Sequence, residues 1–322
     1  MIKFRTDKTG GQEDNMKRTV RSDICLLGAA IIWGFAFVAQ RDSMDTIGPF
    51  LYSAIRMFLG SLALVPIFLI TDSIKNKNRE NTETAAEKNN SRRTLIKGGT
   101  VAGIVVFFAA NMQQVGLVST DAGKTAFITA LYILLVPIIG IFMKHKTNIN
   151  NWIGAVIGAT GLYFLCVTAQ FTVAAGDMIV FIGAFGWAAH ILIIDYFAPK
   201  VNVAKLICLQ FAVAGLISLI VAFIVEDNTF AAAVACAPSL LYTGIVSCGI
   251  GFTLQAAGQK NANPTTASIL LSMESVFGVL AGFIFLNETM TGRELTGCVL
   301  MLAAVIIAQL PVRKKNNKIT DK

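Results

Sequence analysis

The 322-residue sequence contains little charge: Asp, Glu, Lys and Arg together make up 14% of it, against 55% hydrophobic residues. Soluble domains carry about 25% charged residues. A water-soluble protein is therefore excluded. The long polar segments that remain, residues 1–21, 72–94 and 312–322, are predicted to be two tails and one loop.

Cysteine and histidine are also scarce and scattered. The six cysteines stand singly without a C-x-x-C pair, and the two histidines form no H-E-x-x-H pattern. These absences exclude the common zinc and redox motifs. The apolar segments also lack a G-x-S-x nucleophile with a facing histidine, and they lack paired aspartates. We therefore predict no enzymatic activity, no metal and no cofactor.

The apolar residues fall into ten segments, each close to the ~20 residues that an α-helix needs to cross ~30 Å of hydrocarbon. This pattern predicts an all-α polytopic membrane protein, embedded in the lipid bilayer by ten transmembrane helices. The predicted spans are residues 22–41, 48–71, 96–116, 120–143, 151–169, 177–197, 203–225, 237–259, 264–286 and 294–311.

The basic residues are distributed unevenly across the predicted membrane. With the amino terminus in the cytoplasm, 23 of the 27 Lys and Arg residues lie on the cytoplasmic side, three lie outside, and Arg56 lies within the second span. Cytoplasmic segments of membrane proteins are enriched in Lys and Arg. We therefore predict a multi-pass protein of the cell membrane with cytoplasmic tails at residues 1–21 and 312–322. The net charge of +8 reflects this topology, so no nucleic-acid partner is predicted.

The two halves of the chain share residues at nearly constant spacing, with an offset of 154 early in the chain and 142 after the 72–94 loop. The matched pairs are Asp23 and Asp177, Ala30 and Ala184, Trp33 and Trp187, Gln113 and Gln255, Gly116 and Gly258, and Gly140 and Gly282. Each half has five spans. Because five is an odd number, the second half begins on the opposite side of the membrane and has the inverted orientation. We predict two inverted five-helix repeats at residues 22–169 and 170–311, an arrangement typical of secondary transporters.

Several segments resemble the EamA-type transporters of the drug/metabolite transporter superfamily. They are A-I-I-W-G-F-A-F-V at 30–38, G-K-T-A-F-I-T-A-L-Y-I-L-L-V-P at 123–137, G-D at 176–177, L-Q-A-A-G-Q at 254–259 and S-M-E-S-V-F at 272–277. The resemblance covers residues 22–311 and implies an exporter or exchanger of amino acids, other small metabolites or amphiphilic drugs. The family often has proline where Ser275 stands, and often has glutamate at the inner end of the fourth span, where this chain reads M-K-H-K. These departures leave helix bending near Glu274 open.

Two charged residues lie near mid-depth: Arg56 in the second span and Glu274 in the ninth. Ionisable side chains are costly in hydrocarbon and are by default functional. In the functional interpretation, Arg56 holds a substrate carboxylate or pairs with Glu274, and Glu274 attracts a cation or exchanges protons. The alternative is a structural ion pair that only positions helices. Burial and a nearby cation have opposite effects on the protonation of a carboxyl group, so the sequence leaves proton coupling open.

Polar and aromatic side chains complete the predicted substrate site. Its residues are Trp33, Arg56, Asn111, Gln113, Lys124, Tyr132, Trp187, His190, Gln210, Gln255 and Glu274. The alternative is helix packing for the tryptophans and cross-bracing for the amides. Lys124 could instead extend to the headgroups, and His190 could bond a neighbouring helix in place of coupling protons. Gln210 corresponds to Arg56 at the offset of 154, and Tyr132 corresponds to Glu274 at the offset of 142. Each charged residue is thus matched by a neutral polar residue in the other half, and this asymmetry would suit a zwitterionic or polar-amphipathic ligand.

These features predict a secondary transporter, either exporter or exchanger, that moves a small polar or amphipathic metabolite such as an amino acid by alternating access. Multidrug efflux of amphiphilic cations is the first alternative, followed by a non-transporting membrane protein or an intramembrane enzyme. Protons are a candidate coupling ion, and a homodimer is left open. Asp23 and Asp177 are interpreted as helix N-caps.

Overall fold

The computed structural model describes residues 9–77, 85–120, 122–145, 147–166, 174–227, 229–285 and 291–310, and every regular element in these ranges is helical. The predicted carboxy-terminal tail and the predicted repeat boundary at residues 169 and 170 lie outside the described residues. The all-α prediction is therefore confirmed for the described chain.

The first half of the chain forms six helices. They are α1 (Thr9–Ser43), α2 (Pro49–Lys77), α3 (Ala85–Leu117), α4 (Ala122–Ala130), α5 (Tyr132–Phe142) and α6 (Ile149–Cys166). Helices α4 and α5 are separated by Leu131 alone, and together they cover the predicted fourth span.

The second half follows the same plan with more interruptions. It comprises α7 (Ala175–Phe197), a 3₁₀ turn (Ala198–Lys200), α8 (Val203–Val225), α9 (Phe230–Ala235), α10 (Ala237–Leu241), a π-helical segment (Tyr242–Gly251), α11 (Phe252–Gln259), α12 (Pro264–Leu271), α13 (Glu274–Phe285) and α14 (Gly292–Gln309). Helix α10, the π-helical segment and α11 together form the eighth span, and α12 with α13 forms the ninth.

Each of the ten predicted spans coincides with an apolar helix. In the described part of the chain, nine helical segments are long and apolar enough to cross a membrane, and the shorter apolar helix Ile149–Leu165 occupies the predicted fifth span. Large apolar side chains such as Phe142 and Phe223 face outward, with 84% and 73% of their surface exposed. Hydrocarbon is the solvent that suits such a surface. The chain is a multi-pass membrane protein.

Several helices are longer than their apolar segments. Helix α2 continues to Lys77 and α3 begins at Ala85, so the prediction of a loop over residues 72–94 is wrong at both ends. Helix α1 begins at Thr9, which places Asp23 inside the helix and makes its predicted role as an N-cap wrong. Hydropathy marks the thickness of the hydrocarbon, whereas backbone hydrogen bonding continues into water through residues that favour helix.

The helices pack in pairs that connect the two halves of the chain. Helix α6 packs against α14, α2 against α8, α3 against α7, and α1 against the π-helical segment and α11. If span one is exchanged with span six, span two with span seven, and so on through span five with span ten, the same set of packed pairs results. Such packing is expected of two five-helix units related by a two-fold axis.

Two close helix contacts are related by the same exchange of spans. A Cβ atom added to Gly116 on α3 would lie 2.8 Å from the carbonyl oxygen of Gly176 on α7. At the matching contact, a Cβ added to Gly258 on α11 would lie 2.9 Å from the carbonyl oxygen of Ser22 on α1. Both positions therefore require glycine, because a larger side chain would separate the helix backbones.

The core of the described residues contains three apolar clusters, and the two larger ones hold most of the buried side chains. One is built largely from spans four, five, nine and ten, and the other from spans two, three, seven and eight. Trp33 on α1 and Trp187 on α7 pack against both clusters. Their position between the clusters places these two side chains beside the central cavity.

Candidate functional site

A cavity lies between the two halves near the middle of the membrane-spanning helices, and a volume of about 60 Å³ inside it is open to water-sized molecules. Seven of the predicted site residues line it: Trp33, Arg56, Gln113, Tyr132, Trp187, Gln255 and Glu274. These side chains come from spans one to four, six, eight and nine, so the fold brings together residues far apart in sequence.

Arg56 forms the positively charged part of the cavity wall. Its side chain is 5% exposed, and its Nη1 donates a hydrogen bond of 2.7 Å to Oε1 of Gln40 on α1. The guanidinium carbon lies 5.7 Å from the centre of the Tyr52 ring, within the range of a cation–π contact. The Arg56 side chain is therefore held by neutral neighbours on α1 and α2.

Glu274 forms the acidic part of the wall. Its side chain is 4% exposed, and its Oε1 accepts a hydrogen bond of 3.0 Å from the Tyr132 hydroxyl. Tyr132 and Glu274 are 142 residues apart, which is the repeat offset of the second part of each half. The bond therefore joins the fourth and ninth spans directly.

The fourth span is interrupted beside Tyr132. The backbone nitrogen of Leu131 donates to the carbonyl of Ile128 at 3.3 Å, and that of Leu134 donates to the carbonyl of Leu131 at 3.0 Å. These bonds join residues three apart, whereas an α-helix joins residues four apart. Helix α5 therefore begins at Tyr132, inside the membrane.

The ninth span is interrupted at the matching position. The backbone nitrogen of Met273 bonds the carbonyl of Leu270 at 3.2 Å, again three residues away, and α13 begins at Glu274. The interruption forms without proline, because the Ser272 hydroxyl donates back to the carbonyl of Ile269 at 2.8 Å. Serine bonded in this way often bends a helix.

Arg56 and Glu274 do not pair with each other. The ion pairs formed by the described residues include Arg41 with Asp45, Lys124 with Asp177, His145 with Asp195, and Lys205 with Asp72, and none of them joins Arg56 to Glu274. The structural ion pair considered from the sequence is therefore wrong for this conformation. The cavity instead presents two opposite charges that are each held by a neutral partner.

Several polar atoms of the cavity wall are buried without a hydrogen-bond partner in the described part of the chain. They are Nε1 of Trp33, Nε of Arg56, Nε1 of Trp187 and Oε1 of Gln255. Three are N–H donors and one is an acceptor. Buried polar groups without partners are rare and costly, and in the wall of a cavity such atoms are available to a ligand or to water.

Four predicted site residues do not line the cavity. Asn111 Nδ2 donates to the Ser218 hydroxyl at 2.8 Å and braces α3 against α8. His190 Nε2 lies 3.0 Å from Oε1 of Gln210, and both side chains are fully buried. The His190 ring packs against Trp187 and Phe252, which puts it directly behind the cavity wall. Asn111, His190 and Gln210 therefore contact neighbouring helices and do not line this cavity.

The fourth of these residues, Lys124, lies at the start of α4 and neither lines the cavity nor extends to headgroups. Its Nζ is 2.5 Å from Oδ2 of Asp177, and this carboxylate also accepts bonds from the Thr120 hydroxyl at 3.1 Å and the Ala174 backbone nitrogen at 2.7 Å. Asp177 caps α7 from its third residue and not from the N-cap position. The ion pair ties the starts of α4 and α7 together.

The amino-acid sequence matches a known family model over nearly all of its spans. The model of the EamA-like transporter family matches residues 20–167 and again residues 174–309. The chain belongs to the EamA-like transporter family. This membership confirms the resemblance seen in the sequence and shows that the molecule is a membrane transporter with a small-molecule substrate.

Relatives match this transporter over most of its length. An uncharacterized transporter of Archaeoglobus fulgidus is 28% identical over 97% of this chain and 92% of its own. The uncharacterized transporter YoaV of Bacillus subtilis is 23% identical over 88% and 94%. A crystal structure with 16% sequence identity superposes with a TM-score of 0.72 over 89% of this chain and 96% of that chain, which shows a shared fold.

The cavity of this EamA-like transporter also contains side chains that sequence reasoning missed. They include Gln40, Thr129, Ser247 and Phe252. Gln40 follows Trp33 by seven residues, or two helical turns, so the shared face of α1 was a usable signal. Ser247 lies in the π-helical segment, a geometry that hydropathy does not reveal. Within the described ranges, no three His, Cys, Asp or Glu side chains cluster closely enough to hold a metal ion.

Proposed function

We propose that this EamA-like transporter is a secondary transporter of a small amphipathic metabolite with both a positive and a negative group, such as an amino acid. The observation that carries the proposal is the presence of Arg56 and Glu274 in one cavity without an ion pair between them. A zwitterionic ligand offers a carboxylate to the first and an ammonium group to the second. The apolar remainder of the wall accommodates its side chain.

The cost of burying charge supports this assignment. A charged side chain in the middle of a membrane costs at least about 2.5–3.5 kcal/mol, and Arg56 and Glu274 are 5% and 4% exposed. Neutral hydrogen-bond partners offset only part of that cost. A ligand that neutralises both charges lowers the free energy of the loaded protein, and alternate loading and release is the basis of transport.

Alternating access is supported by the arrangement of the helices. The interruptions at Leu131 and Met273 occupy equivalent positions of the two halves, and the interhelix pairs are unchanged by exchange of the halves. Transporters with inverted repeats bind substrate near the midplane at such discontinuous helices. We therefore assign residues 22–169 and 170–311 to two inverted units in the cell membrane, with both termini cytoplasmic, and we infer export or exchange.

Efflux of amphiphilic cations is a second candidate, favoured by the aromatic side chains that line the same cavity as Glu274. The rings of Trp33 and Phe252 lie 4.7 Å apart, and those of Trp187 and Phe252 lie 5.9 Å apart. Such rings attract cations. Arg56 separates the two candidates, because a cationic ligand gains nothing from it and a zwitterion needs it.

A thermal-shift screen of the purified protein tests the proposal. The panel contains amino acids, nucleosides, sugars and cationic drugs, since a ligand that binds only the folded state raises the melting temperature. We expect one or more amino acids to stabilise the wild-type protein, and this stabilisation to be lost in Arg56→Gln. Stabilisation by cationic drugs alone, retained in Arg56→Gln, would support the second candidate.

A further inference from the structure

Gln40 holds one end of the Arg56 guanidinium group. Its Oε1 accepts the 2.7 Å hydrogen bond from Nη1, and its Nε2 donates to the carbonyl of Ala36 at 3.1 Å. The second bond fixes which atom of the amide faces Arg56. Gln40 is itself 5% exposed and lines the cavity, so its orientation is set by α1 and not by solvent.

The bond to Gln40 leaves one particular edge of the guanidinium group available. Arginine presents its donors as a planar fork, and the edge formed by Nε and Nη2 donates two parallel hydrogen bonds that match the two oxygens of a carboxylate. Nε of Arg56 is buried and has no partner among the described residues. The unused edge belongs to a side chain that lines the cavity.

We propose that the Nε and Nη2 edge of Arg56 binds the carboxylate of the transported metabolite, and that Gln40 is the positioning residue that makes this edge available. The inference rests on the proposed function and specifies how one end of the ligand is recognised. A carboxylate fits better than a phosphate, because Arg56 is the only cation in the described cavity lining and a dianion would face Glu274 across the same cavity.

A fragment titration tests the carboxylate site without knowledge of the natural substrate. In protein labelled with ¹⁵N-arginine, the Nε–H resonance of Arg56 is identified by its absence in Arg56→Lys. We expect propionate to shift this resonance and propionamide, which has the same shape without the charge, to leave it in place. An Arg56 resonance that propionate does not move, or that methyl phosphate moves more strongly, overturns the assignment.

Variants of Gln40 test the positioning role. Gln40→Met keeps the length of the side chain and removes the acceptor, and we expect propionate to bind roughly tenfold more weakly or worse, as loss of a hydrogen bond to a charged group gives. Gln259→Met is the matched control, because Gln259 is also buried but its side chain is not part of the cavity lining. Propionate affinity should be unchanged in that control.

A third variant keeps the test decisive if Gln40→Met does not fold. Gln40→Glu retains an oxygen for Nη1 but adds a negative charge beside Arg56, so propionate binding should again be weakened. Wild-type affinity for propionate in either folded Gln40 variant overturns the positioning role. The amino-acid screen decides the proposed function separately, since propionate binding at Arg56 can succeed or fail whichever metabolite the protein carries.

Discussion

At the scale of single residues, the direction in which a buried side chain points decides whether it can reach a ligand. Arg56 and Glu274 were expected near mid-depth and both line the cavity, but their partners are Gln40 and Tyr132. His190 is fully buried as well, yet its ring lies next to Gln210, behind the cavity wall. The position of a residue along its helix follows from its number in the sequence. The direction in which its side chain points depends on how the helices pack together, and a single sequence does not give that packing.

Replacement of Arg56 separates a binding role from a structural one. Arg56→Gln should lower transport at least about tenfold, since hydrogen bonds to charged groups contribute roughly 1.5–3 kcal/mol, while folded protein is retained. The matched control is Arg41→Gln, because Arg41 pairs with Asp45 at the exposed end of α1. The double variant with Glu274→Gln should remain inactive. Recovery of folding only in the double variant would show that the two charges support each other structurally.

Glu274 is predicted to couple the movement of the metabolite to protons, as the acid that lines the cavity. Glu274→Gln removes the exchangeable proton and keeps a side chain of the same size that can accept the Tyr132 hydrogen bond. We expect this variant to retain some exchange of metabolite across proteoliposome membranes, weakened by loss of the charge that faces the ammonium group, and to lose all acceleration by an imposed pH gradient. A wild-type rate that ignores the gradient would reject proton coupling and leave the transporter assignment intact.

At the scale of helices, apolar length predicted the spans and missed their ends and interruptions. All ten spans coincide with helices, because hydrocarbon thickness fixes the length of each apolar segment. The interruptions at Leu131 and Met273 were missed, since neither contains proline and both rest on backbone bonds between residues three apart. The polar start of α3 is predicted as a loop because hydropathy indicates whether a segment lies in hydrocarbon or in water. It does not indicate whether the backbone of that segment forms helical hydrogen bonds.

The contact between α1 and α13 makes Gly34 sensitive to any side chain. A Cβ added there would lie 2.7 Å from the carbonyl oxygen of Glu274 and 2.8 Å from the backbone nitrogen of Gly278. Gly34→Ala should therefore displace the start of α13, cost roughly 1–3 kcal/mol as overpacking does, and reduce transport. Thermal midpoint and transport rate are the measurements.

Gly28 on the same helix is the matched control for Gly34. Its added Cβ would meet only the Leu254 side chain, at 3.4 Å, so Gly28→Ala should behave like the wild type. Equal stability and activity of Gly28→Ala and Gly34→Ala would contradict the proposed dependence of the site on this close approach.

At the scale of the whole molecule, the basic residues predict which ends of the helices face the cytoplasm. Lys88 at the start of α3 is exposed and is expected inside, whereas Phe230 at the start of α9 is 87% exposed and is expected outside. In a variant without native cysteines, an impermeant maleimide applied to intact cells should label Phe230→Cys and not Lys88→Cys. The opposite labelling would invert the topology.

The central claim is that a small zwitterionic metabolite crosses the membrane through the cavity between Arg56 and Glu274. Counterflow tests it most directly: purified protein is placed in liposomes loaded with unlabelled amino acid, and uptake of the labelled compound is followed. We predict uptake above protein-free liposomes for the wild type and for Arg41→Gln, and background uptake for Arg56→Gln. Absence of counterflow for every amino acid, or uptake by Arg56→Gln equal to that of the wild type, would contradict the account.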